Sequence, residues 1–178
     1  MEARASSPMQ PSIRVWPANL EDTKAGCWSL LPDRRVSCMF PIGASIWTVN
    51  SRGVIASFAE NIVVPNCAAD LPAELPKPHI RGLAVDAKGD VYGAAIGCRA
   101  VVRITSSGQI TAVLRAENPW SPSAVAVDRG DLYVMEYDNT LAEYPADGRP
   151  RIRKLSSDGK VTTLLVVNKA SSTTRLNQ

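Results

Sequence analysis

The side chains best suited to chemistry cluster at one place, where Glu136, Tyr137, Asp138 and Asn139 follow the apolar run Leu132-Tyr133-Val134-Met135. Two carboxylates and an amide are hard oxygen donors, fit for a calcium-like divalent cation, and a carboxylate in a channel can serve as a general base. Glu136 and Asp138 are therefore the candidate metal ligands. Glu136 to Asn139 also has a plainer reading: Asp-Asn-Thr is common turn chemistry, with Glu136 directed into solvent. His79, the sole histidine, stands in Pro78-His79-Ile80-Arg81 and is the second candidate for proton transfer, with a role-free loop histidine as its alternative. Arg81 and Trp120 add a cation and an aromatic plate for holding a ligand, and Trp120 can equally wedge between packed elements. Gly-x-Ser-x-Gly and Gly-rich phosphate loops are absent from the sequence, which removes the commonest serine-nucleophile and nucleotide signatures.

Composition narrows the classes further. With 178 residues and 45% hydrophobic content the chain can build a core and is too apolar for disorder. The 20 basic against 17 acidic residues leave a charge of +3 without a block of like charges, and 6% aromatic content is sparse for base stacking, so no nucleic acid is expected as partner. The stretch Arg149, Arg151, Arg153, Lys154 reads as a solvated outer strand. No membrane span is expected from the apolar runs, and Met1 to Pro11 lacks the pattern of a secretory leader. As written, the chain reads as cytoplasmic; as part of a longer precursor it would be exported. Cys27, Cys38, Cys67 and Cys98 exclude Cys-x-x-Cys motifs. Buried free thiols are the default expectation, and Cys67 with Cys98 is the most reasonable pair if disulfides form.

The elements that must position these residues emerge when the chain is compared with itself. Gly82-Leu83-Ala84-Val85-Asp86-Ala87-Lys88-Gly89-Asp90-Val91-Tyr92 recurs, one residue shorter, from Ala124 to Tyr133. A second pattern recurs around Gly53, Gly108 and Gly159, as in Ile104-Thr105-Ser106-Ser107-Gly108-Gln109-Ile110. Each reads as two strands joined by a tight turn in which glycine supplies positive φ. Asp86 and Asp128, equivalent in the repeat, are expected to serve those turns. Two successive hairpins make a unit of four antiparallel strands, and such units need neighbours on both faces to bury their apolar side chains.

The segments GLAVDAKGDVYGAAIGCRAVVRITSSGQITAVL, SAVAVDRGDLYVMEYDN and RIRKLSSDGKVTTLL resemble the NHL-repeat β-propellers and the related gluconolactonase-like superfamily. The resemblance spans residues 80–167 and, in part, 46–58. It implies an all-β chain of four-stranded blades, about three to four of them, belonging to a ring of about six. Blades are expected at 27–60 (degenerate, with a first hairpin at 31–36), 80–115 and 122–167, flanked by an arm over 1–26 and a disordered tail over 168–178. A partial ring leaves blade faces open, which makes a fragment, a homo-oligomer or a small closed ring the alternatives.

In the gluconolactonase-like enzymes the resemblance implies a divalent cation held in the central tunnel by Glu, Asn and Asp. Arg81 and Ser123 occupy two of the matching places, and neither suits a metal; a cation is therefore not favoured as cofactor. Function divides between a binding or scaffold propeller, taking a small-molecule, peptide, sugar or protein ligand at the tunnel mouth, and a lactonase- or lyase-like enzyme at the tunnel. Glu136, Tyr137, Asp138, Asn139, Arg81 and Trp120 are the candidate ligand contacts, with Glu136 and His79 as candidate catalytic groups.

Overall fold

The computed structural model describes residues 38–67, 78–138 and 150–167. The arm over 1–26, the hairpin at 31–36, Cys27, Asn139, Arg149 and the tail over 168–178 lie outside them. Three antiparallel sheets follow one another along the chain. The first is β1(Cys38–Ile42), β2(Ser45–Val49) and β3(Ile55–Ala59). The second is β4(Ile80–Val85), β5(Val91–Ala95), β6(Ala100–Ile104) and β7(Ile110–Arg115). The third is β8(Trp120–Asp128), β9(Asp131–Asp138), β10(Pro150–Leu155) and β11(Val161–Val166). Each is a simple meander. Among the described residues there is no α-helix, and no helix long and apolar enough to cross a membrane.

One turn recurs four times and explains the glycine pattern. In Asn50–Val54, Asp86–Asp90, Thr105–Gln109 and Ser156–Lys160 the first residue's N–H donates to the last carbonyl, and the fourth-position glycine N–H donates back to the first carbonyl. Those glycines have φ of 74°, 84°, 80° and 87°, the left-handed conformation that a side chain resists. Asp86 serves its turn as expected, its Oδ1 accepting from the N–H of Lys88 at 2.9 Å and of Asp90 at 3.0 Å. The one-residue deletion in the later repeat is a change of turn. Between Asp128 and Asp131 only Arg129 and Gly130 intervene, both left-handed at φ 50° and 86°, as a two-residue hairpin on right-twisted strands requires.

The sheets stack face to face. Met39 and Ile46 of the first sheet pack with Leu83, Val91, Val102 and Ile104 of the second, and Val101 and Leu114 of the second pack with Leu132 and Val134 of the third. The innermost strands β4 and β8 run side by side, so closely that a Cβ on Gly82 would stand 2.7 Å from Ala124 Cα and 2.9 Å from the Ser123 carbonyl oxygen. Register makes β1, β2 and β3 the counterparts of β5–β7 and β9–β11. Ile46 pairs with Ala59, Val101 with Leu114 and Ile152 with Leu165, each immediately before a bulge.

Two expectations are corrected here. The thiols are not free: Cys67 and Cys98 form a disulfide and Cys38 is disulfide-bonded too. Arg151 and Arg153 are not on a solvated outer strand. β10 lies between β9 and β11, and both guanidiniums are buried.

Candidate functional site: one end of the stacked sheets

β4, β6, β8 and β10 begin, and β5, β7 and β9 finish, at the same end of the stack, because the strands alternate in direction. That end gathers His79, Arg81, Arg99, Glu117, Trp120, Glu136, Asp138 and Arg151. Its corner is stapled. Gly97 N–H donates to the Pro78 carbonyl at 3.0 Å and Ile96 N–H to the His79 carbonyl at 3.1 Å, while the disulfide ties Cys98, in the short 3-10 turn Ile96–Cys98, to Cys67. Arg115 reaches across to the carbonyls of Pro65 and Asn66.

Glu136 is fully buried, 0% exposed, on the face of β9 that carries Val134 towards the second sheet. It therefore does not face solvent, and it lies on a strand other than the innermost strand β8. Alternation along β9 does put Tyr133 and Met135 opposite Val134 and Glu136, but β9 is the second strand of its blade, so this face meets the neighbouring blade. Arg151 Nε donates to Glu136 Oε2 at 2.6 Å and Arg153 Nη2 donates to Glu136 Oε1. Arg151 Nη1 also donates to Glu117 Oε1 at 2.6 Å, Arg153 Nη2 to the Arg115 carbonyl at 2.9 Å, and the Arg151 guanidinium lies 4.3 Å from the centroid of Trp120. The Arg151 hydrogen bond holds the Glu117 carboxyl below its ordinary pKa. Arg99 Nη1 donates to the Trp120 carbonyl at 3.4 Å. A buried carboxylate whose two oxygens are each held by a guanidinium braces those two arginines and is turned away from any ligand at the surface.

This two-arginine, two-glutamate cluster was not anticipated, although the repeat carries its signature. Glu136, Arg151 and Arg153 stand where the second sheet has Ala95, Ala100 and Val102, at positions paired in register. Charges of both signs appearing together at paired apolar positions announce a buried ion cluster.

The remaining candidates are dispersed. Ser123 Oγ donates to the Met135 carbonyl at 3.3 Å, Arg81 is exposed at the second position of β4, and Asp138 pairs with Trp120 and Tyr137 with Ser121 across β8 and β9. His79 has a left-handed backbone at φ 40°, which β-carbon sterics disfavour, and its Nδ1 is buried without a hydrogen-bond partner. Burial first, and then the Arg81 charge, push the imidazole pKa below its ordinary value. Among the described residues no group of three or more His, Cys, Asp or Glu is placed to hold a metal ion. With Arg81 cationic, Ser123 committed to backbone and Glu136 ion-paired, these residues do not fit the divalent cation of the gluconolactonase-like enzymes.

The three-sheet stack superposes on a gluconolactonase from Xanthomonas campestris with a TM-score of 0.58 at 16% identity, over 93% of this chain and 61% of that one. A second gluconolactonase structure matches with a TM-score of 0.53 at 14% identity, over 79% of this chain and 49% of that one. The fold is that of a gluconolactonase-like β-propeller. The propeller blades present here span about half to three fifths of the length of those chains. No protein-family model and no curated protein sequence matches the chain.

Proposed function

We propose that the chain is a binding propeller that takes a small-molecule, peptide, sugar or protein ligand at the end of the blades where β4 and β8 begin. The observation that carries this reading is the engagement of Glu136 by Arg151 and Arg153, which turns the most suitable acid into an internal brace. That end also carries exposed Arg81 with half-buried Trp120 and Asp138, side chains that suit contact more than bond-breaking. A rigid, disulfide-stapled corner lowers the ordering cost of binding. The test is a screen of oligosaccharides and peptides by calorimetry, followed by Arg81→Ala. At least a tenfold loss of affinity with unchanged melting temperature is expected, and unaltered affinity for every ligand found would sink the assignment.

One observation favours an enzyme instead. His79 combines a strained backbone with a desolvated, neutral imidazole, and local strain held by surrounding structure concentrates at working sites. On that reading an aldonolactone or ester is turned over without added metal, and His79→Ala abolishes turnover while Arg81→Ala raises KM. Absence of turnover by the wild-type chain removes it.

A further inference from the structure

We infer that the Cys67–Cys98 disulfide is a redox latch on His79: while the bond is intact the sole imidazole of the chain is held in its corner, and reduction by a dithiol releases it to solvent. The backbone of the corner is under constraint. His79 at φ 40° and Arg99 at φ 46° both carry side chains in the left-handed region. Both are tied to Ile96, whose N–H donates to the His79 carbonyl at 3.1 Å and whose carbonyl accepts from the Arg99 N–H at 3.3 Å. The equivalent turn of the first sheet, between β1 and β2, has Gly43 at φ 60°, with no side chain to oppose it. A β-carbon in that region is disfavoured and persists where the surrounding structure over-determines it. The disulfide is the covalent part of that hold. It joins the turn Ile96–Cys98, which clamps Pro78 and His79 by their carbonyls, to a second segment with anchors of its own. That segment, residues 62–67, is fixed by buried Ile62 and Val64 and by Arg115 on the carbonyls of Pro65 and Asn66.

Cys67 is partly exposed and Cys98 is buried, so an attacking thiolate meets Cys67. It bonds to the Cys67 sulfur, and Cys98 leaves as a thiolate that takes up a proton. The second thiol of the reagent, losing its proton, then displaces Cys67, closing the reagent's own disulfide and leaving Cys67 to be protonated in turn. The protein gains two electrons and two protons, and the dithiol supplies them. With the tether cut, the turn Ile96–Cys98 is free to relax from Pro78 and His79. The imidazole then leaves a place where its Nδ1 is buried without a hydrogen-bond partner. In the latched state that burial, and after it the charge of Arg81, keep its proton affinity low. Released, it regains hydration and its ordinary proton affinity. The redox state of one bond thus sets whether the end where β4 and β8 begin presents an imidazole, whatever ligand or reaction that end serves.

The full 178-residue chain tests this through its one histidine. Two readouts are taken on isotope-labelled protein: the titration of the imidazole by nuclear magnetic resonance, and its rate of acylation by diethyl pyrocarbonate. They are compared for the wild type with the bond intact, the wild type reduced with dithiothreitol, and Cys67→Ser/Cys98→Ala without reductant. Reduction and the double substitution should each raise the acylation rate at least tenfold and move the imidazole midpoint up towards about 6.5. The amide signals of Val134 and Met135, in the third sheet, should stay in place. An imidazole indifferent to both treatments overturns the inference. So does a response that arrives only with loss of the third-sheet signals, since the bond then serves the whole fold and not one corner. A response to dithiothreitol that the double substitution does not reproduce also overturns it, because the bond at Cys38 is then the one responsible.

Discussion

Glu136 shows how a single residue changes meaning with its surroundings. At the end of an apolar strand it reads as a base or a ligand, yet between two blades it shares with Glu117 the neutralisation of two buried guanidiniums. Glu136→Gln leaves Arg151 and Arg153 buried with one fewer counter-charge and should cost about 3–5 kcal/mol in urea unfolding, the range for breaking a buried ion pair. Strand alternation specifies which residues share a face, as it did for Val134 and Glu136, but which neighbour that face meets depends on the blade's place in the stack. The turn role of Asp86 was legible because it is set by residues two and four positions away.

Two ionisable groups at this end set the pH response. The Glu117 pKa is lowered in the folded chain, so its pairing with Arg151 contributes fully above the unfolded carboxyl pKa and is lost as pH falls through the folded value. A melting temperature that declines below about pH 4 is expected, less steeply in Glu117→Gln. His79 also has a lowered folded pKa, so its contribution is present above the unfolded value and is lost as pH falls. As pH falls below about 6.5 the wild type should lose stability that His79→Asn retains, as thermal melts at successive pH values will read.

At the scale of elements, the blades are set by close backbone approach and by staples. Gly82→Ala would drive a methyl into the backbone of Ala124 and Ser123, where neither strand has a flexible side chain to move aside. A loss of about 1–3 kcal/mol is expected by chemical denaturation, the usual cost of overpacking, with a similar loss not seen for Gly43→Ala in open space beyond its turn strain. The Cys67–Cys98 disulfide closes a loop of sequence separation 31 and ties the connection after β3 to the corner that holds His79. Cys67→Ser should cost about 2–5 kcal/mol, and dithiothreitol should lower the wild-type melting temperature while leaving that variant less affected. Hairpins were the most legible elements, since a glycine at fixed spacing between β-branched runs is a local signal. The pairing of Cys67 with Cys98 was visible only as one of several arrangements, because bond formation depends on a corner built from residues 31 apart in sequence.

For the whole molecule, the order of sheets followed from the repeat. The buried state of Arg151 and Arg153 is hidden when their strand is read alone, because alternate basic residues look the same on an exposed strand, and it emerges only when Glu136 with Arg151 is set against Ala95 with Ala100 in the preceding repeat. Disulfides at Cys38 and at Cys67–Cys98 suit an oxidising compartment. Expression with export to the bacterial periplasm should therefore yield more folded chain than cytosolic expression, as measured by the fraction resisting protease.

The cluster of Glu117, Glu136, Arg151 and Arg153 also limits how the blades can be exchanged. Backbone register makes the second and third sheets near copies, yet only one of them carries the charges, and Glu117 belongs to the connection between them. A consensus blade averaged over the repeats would erase the glutamate and strand the arginines, or keep one arginine without its acid. Duplication of such a blade during evolution, or its reuse in a designed ring, succeeds only when all four positions travel together. Identity of place within the ring is thus written in charge, on a scaffold whose geometry alone would let any blade stand anywhere.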